Sequence, residues 1–303
     1  MSDWPELSAT SDHDTLATLH LAAQMLGKIR VAHAPWMNHG WHVALQPNAR
    51  GLSTLPTEAG QDRTFTLTLD LCRHAIVLWV SDGSREEVSL VAGSVAALHE
   101  RLIATLQKHR LPSGFNGTPN EIADAVPFAR DTAAKRYDRG SADRLRQALA
   151  AMLPVFGRFR AGFAGKASPV HFWWGSFDLA VSRFSGRKAP THPGGIPGLP
   201  DRITREAYSD EVASAGFWAG GVTPAEPFFY SYIYPAPNGY SDYPVLHGSF
   251  DAAFGEFVLP YAKVRSSAEP HRMLLEFFQS AYDAGASLAK WDREMLERRP
   301  LAP

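Results

Sequence analysis

Apolar and polar positions follow two different periods along the chain, and the changes of period mark its elements. Leu16, Leu19, Ala22, Ala23 and Leu26 recur at helical spacing behind the polar run Ser11–Asp14, which predicts a first helix. Gly27, followed by Lys28 and Arg30, reads as the end of that helix. Trp41, Val43 and Leu45 then alternate as in a half-buried strand. Phe65, Leu67, Leu69 and Leu71 alternate with Thr64, Thr66, Thr68 and Asp70, the cleanest strand pattern in the chain. His74–Val80 and Glu87–Val91 read as its neighbours, joined by the turn Ser81–Ser84. Ser94 opens a helix with Leu98, Leu102, Ile103 and Leu106 on one side.

The pattern weakens from Leu111 to Ala142 and then resumes. A helix is predicted from about Ala142 to Ala161, and a strand run from His171 to Phe184. A loop rich in proline and glycine spans Lys188 to Arg205. Phe217–Trp218 and Phe228–Tyr234 read as strands, the second with Phe228, Tyr230, Tyr232 and Tyr234 on one face. Pro270 starts a closing helix whose buried stripe is Leu274, Phe277, Phe278, Ala281, Tyr282, Leu288 and Trp291. The expected fold is therefore α+β, with antiparallel sheets covered by helices.

Both rounds read helix, strands, helix, and short matches recur between them in the same order. Leu26–Arg30 lines up with Phe156–Arg160, His39–His42 with His171–Trp174, and Arg50–Gly51 with Ser185–Gly186. These matches predict a tandem duplication packed as one unit: residues 1–112, a connecting segment 113–134, and residues 135–303.

Composition narrows the class. The 303 residues are 45% hydrophobic and 20% charged, which places the chain among globular proteins rather than disordered ones. No run approaches the ~20 apolar residues of a spanning helix, so no membrane partner is expected. The net charge of -1 gives no global field for nucleic acid. A lone cysteine, Cys72, excludes an internal disulfide and a cysteine-rich zinc site. Met1–Pro5 lacks a charged-then-apolar leader pattern, so a cytoplasmic location is expected.

Charge is uneven locally. No acid lies between Thr15 and Thr57, where Lys28, Arg30 and Arg50 stand; between Arg144 and Pro200 the one acid is Asp178. If the two halves face each other, these basic segments line one cleft. Lys28, Arg50, Arg183 and Arg187 would then hold a small anionic organic molecule, because guanidinium forks bind carboxylate or phosphate bidentately. Trp41, Trp173 and Trp174 would wall the pocket. Histidine adds the chemistry: His39 and its repeat mate His171 are candidate general acid–base groups. With His42 they are alternatively candidate ligands for a transition metal such as zinc or iron, although the spacing matches no established metal motif. Asp178 either orients a catalytic group or serves a structural ion pair. His20, Gln24 and Lys28 form one polar column on the first helix, read as its solvent face. Phosphate-loop, dinucleotide and nucleophile-elbow motifs are all missing from the sequence.

Several longer motifs resemble one bacterial family. They include Asn38–Val43, Ala49–Leu52, Ser168–Leu179, Arg183–Arg187, Glu211–Trp218 and Tyr230–Pro235, with Trp4–Pro5, Thr18–Leu21 and Gly27–Arg30 at the N-terminal end. The chain is identified by them as a member of the family of domain of unknown function 5996. Gly40 departs from the family motif, which carries an aromatic residue there. The resemblance brings no activity, cofactor or catalytic residues with it. From the residues, the leading expectation is an enzyme, or enzyme-like binder, of a small anionic molecule. The alternative is a non-catalytic interaction or sensor protein using the same basic aromatic surface.

Overall fold

The computed structural model describes residues 4–60, 62–223 and 225–298. A long buried helix, α1 (His13–His33), leads into β1 (Gln46–Asn48), β2 (Gly51–Ser53), β3 (Thr57–Glu58), β4 (Thr64–Asp70), β5 (Ala75–Val80) and β6 (Arg85–Ser89). These strands form an antiparallel sheet in the order β1-β2-β4-β5-β6, with β3 also paired to β4. α2 (Val95–Lys108) follows, capped by Ser94 Oγ accepting from the Ala97 N–H at 3.2 Å. Phe65, Leu67 and Leu69 of β4 are buried while Thr64, Thr66 and Thr68 are not, as the alternation requires.

The chain continues through α3 (Arg139–Ala161), β7 (His171–Trp173), β8 (Asp178–Lys188), α4 (Asp201–Ala207), β9 (Asp210–Trp218) and β10 (Phe228–Tyr234). It closes with β11 (Ser249–Asp251), β12 (Glu256–Pro260), α5 (Tyr261–Arg265), α6 (Pro270–Leu288) and α7 (Arg293–Leu296). The second sheet is antiparallel, in the order β11-β12-β10-β9-β8-β7. The architecture is α+β. Leu45 and Phe172 exchange both backbone hydrogen bonds at 2.9 Å, so the two sheets are joined by main chain. One continuous hydrophobic core runs from Trp4 to Trp291.

Three local expectations change. α1 does not end at Gly27 but runs on to His33, and Gly27 is instead the point where the Trp174 indole packs against the helix. Trp41 and Val43 lie in a turn, and regular pairing starts only at Leu45. The strand predicted from His171 to Phe184 is a hairpin, turned at Trp174–Phe177 with Phe177 in the left-handed region at φ 63°. The polar column is also inside rather than outside: His20, Gln24 and Lys28 are all buried, because α1 is covered on every side. Among the described residues no helix is long and apolar enough to cross a membrane.

Candidate functional site

Strand register decides which side chains meet. Asp178 lies opposite Trp218, Trp218 opposite Phe228, Ala180 opposite Gly216, Gly216 opposite Tyr230, Ser182 opposite Ser214 and Ser214 opposite Tyr232. Paired residues share a face, so these form one surface of the second sheet. The other surface carries Leu179, Val181, Phe217 and Phe229 into the core. Above the first surface lies a cavity of about 610 Å³. Its walls are Trp36 and His39–Val43 from the N-terminal segment, Asn120 and Glu121 from the connecting segment, and the proline-rich loop with α4.

Three carboxyl groups line this cavity: Asp178, Glu121 and Glu256. Asp178 is buried and accepts hydrogen bonds from Ser176 Oγ and the Tyr230 hydroxyl. Burial nevertheless pushes its pKa up to about 6. Burial, with the nearby Asp178 charge, lifts Glu121 to about 7. Burial does the same for Glu256, up to about 8, helped by Asp178 and Asp251. Among the described residues the Glu121 and Glu256 carboxyls have no hydrogen-bond or ion-pair partner.

Glu121 is held from behind by the polar column of α1. Gln24 Nε2 donates to the Asn120 carbonyl at 2.7 Å, and the Asn120 N–H donates back to Gln24 Oε1 at 2.8 Å. His20 Nε2 lies 2.9 Å from the Gly175 carbonyl, and its Nδ1 accepts from the Val222 N–H at 3.3 Å. Burial lowers His20 to about 4, so it is a neutral imidazole donating through Nε2. The Glu121 carboxyl rests directly on Gly175: a Cβ there would stand 1.9 Å from Glu121 Oε1. Two of the tryptophans in the wall spend their N–H groups on main chain, Trp174 on Val43 O at 3.0 Å and Trp218 on Ser176 O at 2.9 Å. What they offer the cavity is ring.

Of the residues singled out from sequence, His39, Trp41, His42, Trp173, Trp174 and Asp178 line this cavity. The cations do not gather there. Arg50 makes a bidentate pair with Asp70, at 2.6 and 3.1 Å, on the first sheet. Arg187 pairs with Glu211 at 2.7 Å and donates to the Ala289 and Lys290 carbonyls. Arg183 projects from the opposite face of β8 into the core, where it donates to the Phe159 carbonyl. Lys28 stays on α1, outside the cavity lining, with burial lowering its ammonium to about 8. Acids from outside the acid-poor segments take Arg50 and Arg187, and Arg183 and Lys28 are buried away from the cavity, so these four build no cationic cleft.

The histidines likewise have separate tasks. Lys166 Nζ donates to His39 Nε2 at 2.6 Å, while His39 Nδ1 lies 3.3 Å from the Glu206 and Ala207 carbonyls. Burial first, then the Lys166 charge, keeps His39 below its ordinary pKa. His42 Nδ1 accepts from the Met37 N–H at 3.2 Å. His171 packs against Trp41 and Trp173, lowered to about 4 by burial. The set His39, His42 and His171 is thus not arranged as a metal site: each ring is turned to its own neighbour. Among the described residues no three His, Cys, Asp or Glu side chains are grouped to hold a metal ion.

Fold and cavity together define an α+β protein with an aromatic, carboxylate-lined cavity. The chain belongs to the family of unknown function DUF5996, whose model matches residues 4–298. No curated protein and no solved structure matches it.

The raised carboxyls predict a pH dependence. Each is more basic folded than unfolded, so between the two values the folded chain holds protons that the unfolded chain has released. Their contribution is intact below about pH 4.5 and is lost as pH rises through 6 to 8. Glu256→Gln should therefore match the parent in thermal melts at pH 5 and exceed it by several degrees at pH 8.5. Parallel curves for the two proteins across that range would refute the assignment.

Proposed function

We propose that this cavity binds a small organic cation with an apolar body, an amine or quaternary ammonium compound. The observation that carries the reading is the convergence of Asp178, Glu121 and Glu256 on an aromatic-walled cavity, with the two glutamates lacking any cationic partner among the described residues. A desolvated carboxylate gains most from an opposite charge, and tryptophan faces attract cations through the ring quadrupole. Arg50, Arg183 and Arg187, which would have held an anion, are each engaged elsewhere, and the one arginine in the lining, Arg202, stands against three carboxyl groups.

The same groups support acid–base catalysis on the bound molecule. Asp178 and Glu121, near 6 and 7, are poised to exchange a proton close to neutral pH. We propose as well that the chain arose by tandem duplication: each part opens with a long helix and continues into an antiparallel sheet. Its proposed mates, His39 and His171, both touch Trp41.

Titration calorimetry with benzyltrimethylammonium, phenethylamine and phenylacetate tests the charge preference. The two cations should bind, more tightly at pH 8.5 than at pH 5.5 as the carboxyls ionise, and phenylacetate should not. Glu121→Gln should weaken cation binding by roughly tenfold or more, in line with the ~1.5–3 kcal/mol of a charged hydrogen bond. Binding of phenylacetate alone would overturn the reading.

A further inference from the structure

Resting on that reading, we infer that the bound cation carries N–H donors, as a primary ammonium or guanidinium does and a quaternary nitrogen does not, and that Glu121 and Glu256 accept them. The hydroxyl donors of the cavity surface are committed elsewhere. Ser176 Oγ and the Tyr230 hydroxyl both go to Asp178. The Tyr208 and Tyr232 hydroxyls pair with each other at 2.9 Å, and those of Ser182 and Ser214 at 3.2 Å. Arg202, the arginine of the lining, is neither hydrogen-bonded nor ion-paired to any of the three carboxyls among the described residues. The two glutamates are thus desolvated with their acceptor oxygens unmet. The three acids also behave as one cluster: Asp178 acts on both glutamates, and all three act on Tyr208. A quaternary nitrogen entering there would bring charge but no hydrogen, leaving those oxygens unbonded, whereas an N–H cation brings both. The backbone around Glu121 fits this role. Glu121 lies in the left-handed region at φ 56°, uncommon for a side chain of its length. Its N–H donates to the Gly198 carbonyl at 3.1 Å, and Asn120 Nδ2 donates to the same oxygen at 2.8 Å. Residues held in such a conformation cluster at ligand contacts.

Calorimetry at pH 8 decides this with one graded series: phenethylamine, its N-methyl and N,N-dimethyl forms, and its trimethylammonium form, which offer three, two, one and no N–H donors. Phenethylguanidine, run beside them, tells an ammonium head from a guanidinium. Affinity should fall along the series, by about tenfold or more from first to last, as expected for lost charged hydrogen bonds. In Glu121→Met and Glu256→Met, which keep side-chain bulk without the carboxyl, the spread should narrow. A quaternary form that binds as tightly as phenethylamine or phenethylguanidine would overturn the N–H inference while leaving the cation reading standing. So would a spread that persists undiminished in both variants, since crowding by the added methyls would then explain it. The ranking is read first in the unaltered protein, so it does not depend on how either variant folds. No binding by any of these cations would remove both readings.

Discussion

Replacing Arg183 with alanine should lower stability by several kcal/mol and leave cation binding in the cavity intact. Arg183 lies opposite Ala213 on β9, five residues from Asp178 along β8, and so emerges on the other side of the sheet. It is 1% exposed. Its guanidinium carbon stands 3.6 Å from the Phe159 ring centroid and 4.4 Å from that of Tyr282, while one nitrogen donates to the Phe159 carbonyl. Burial draws its pKa down to about 10, still high enough to keep it charged at neutral pH. Alanine would leave a void among the Phe159, Phe163 and Tyr282 rings and strand a carbonyl; losses of ~3–5 kcal/mol are usual for such removals. Arg183→Met, which retains most of the volume without the buried charge, should be much milder. Urea denaturation gives the comparison, and a change below ~1 kcal/mol for the alanine variant would contradict this account of the buried charge.

Gly27→Ala should act against the ordinary rule for helices. Alanine in a helix interior normally gains about 1 kcal/mol over glycine. Here the new Cβ would lie 2.1 Å from Trp174 Nε1 and 2.2 Å from two further ring atoms. The indole has to move, taking with it the hydrogen bond to the Val43 carbonyl and part of the cavity wall. The expected result is a net loss of ~1–3 kcal/mol, the range for overpacking, accompanied by weaker cation binding. Thermal melts and calorimetry on one preparation give both readings. A stabilised variant with unchanged affinity would show that Trp174 is free to swing aside.

Local pattern carried the elements well where one period persisted. Thr64–Leu71, the Ser94 cap and the Pro270 start all correspond to observed features. The separation of Asp178 from Arg183 was also legible in their odd spacing. What parity could not anticipate was the turn at Trp174–Phe177, which resets the count. Trp173 pairs directly with Asp178, and His171 with Ala180, so His171 and Trp173 belong to the face of Asp178 rather than to that of Arg183. Glu121 had no signal at all, because its place is set by Gln24, ninety-odd residues upstream in sequence, through contacts with Asn120. Glu256 opens a short strand whose own residues say nothing of the cavity. The acid-poor runs were real features of sequence, but a charge finds its partner in space, and Asp70, Glu211 and Asp210 came from outside those runs.

The main-chain exchange between Leu45 and Phe172 has a further consequence. β7 is the last strand of its sheet, and a last strand offers unpaired N–H and C=O groups to any extended chain that approaches. In this fold the approach is already taken at Phe172, by the same stretch that brings Trp41, His42 and Val43 to the cavity wall. The wall of the cavity is thus also the guard on an adhesive edge. A change that pried this stretch loose would open the cavity and invite self-association in one stroke, tying the integrity of the cavity to colloidal behaviour.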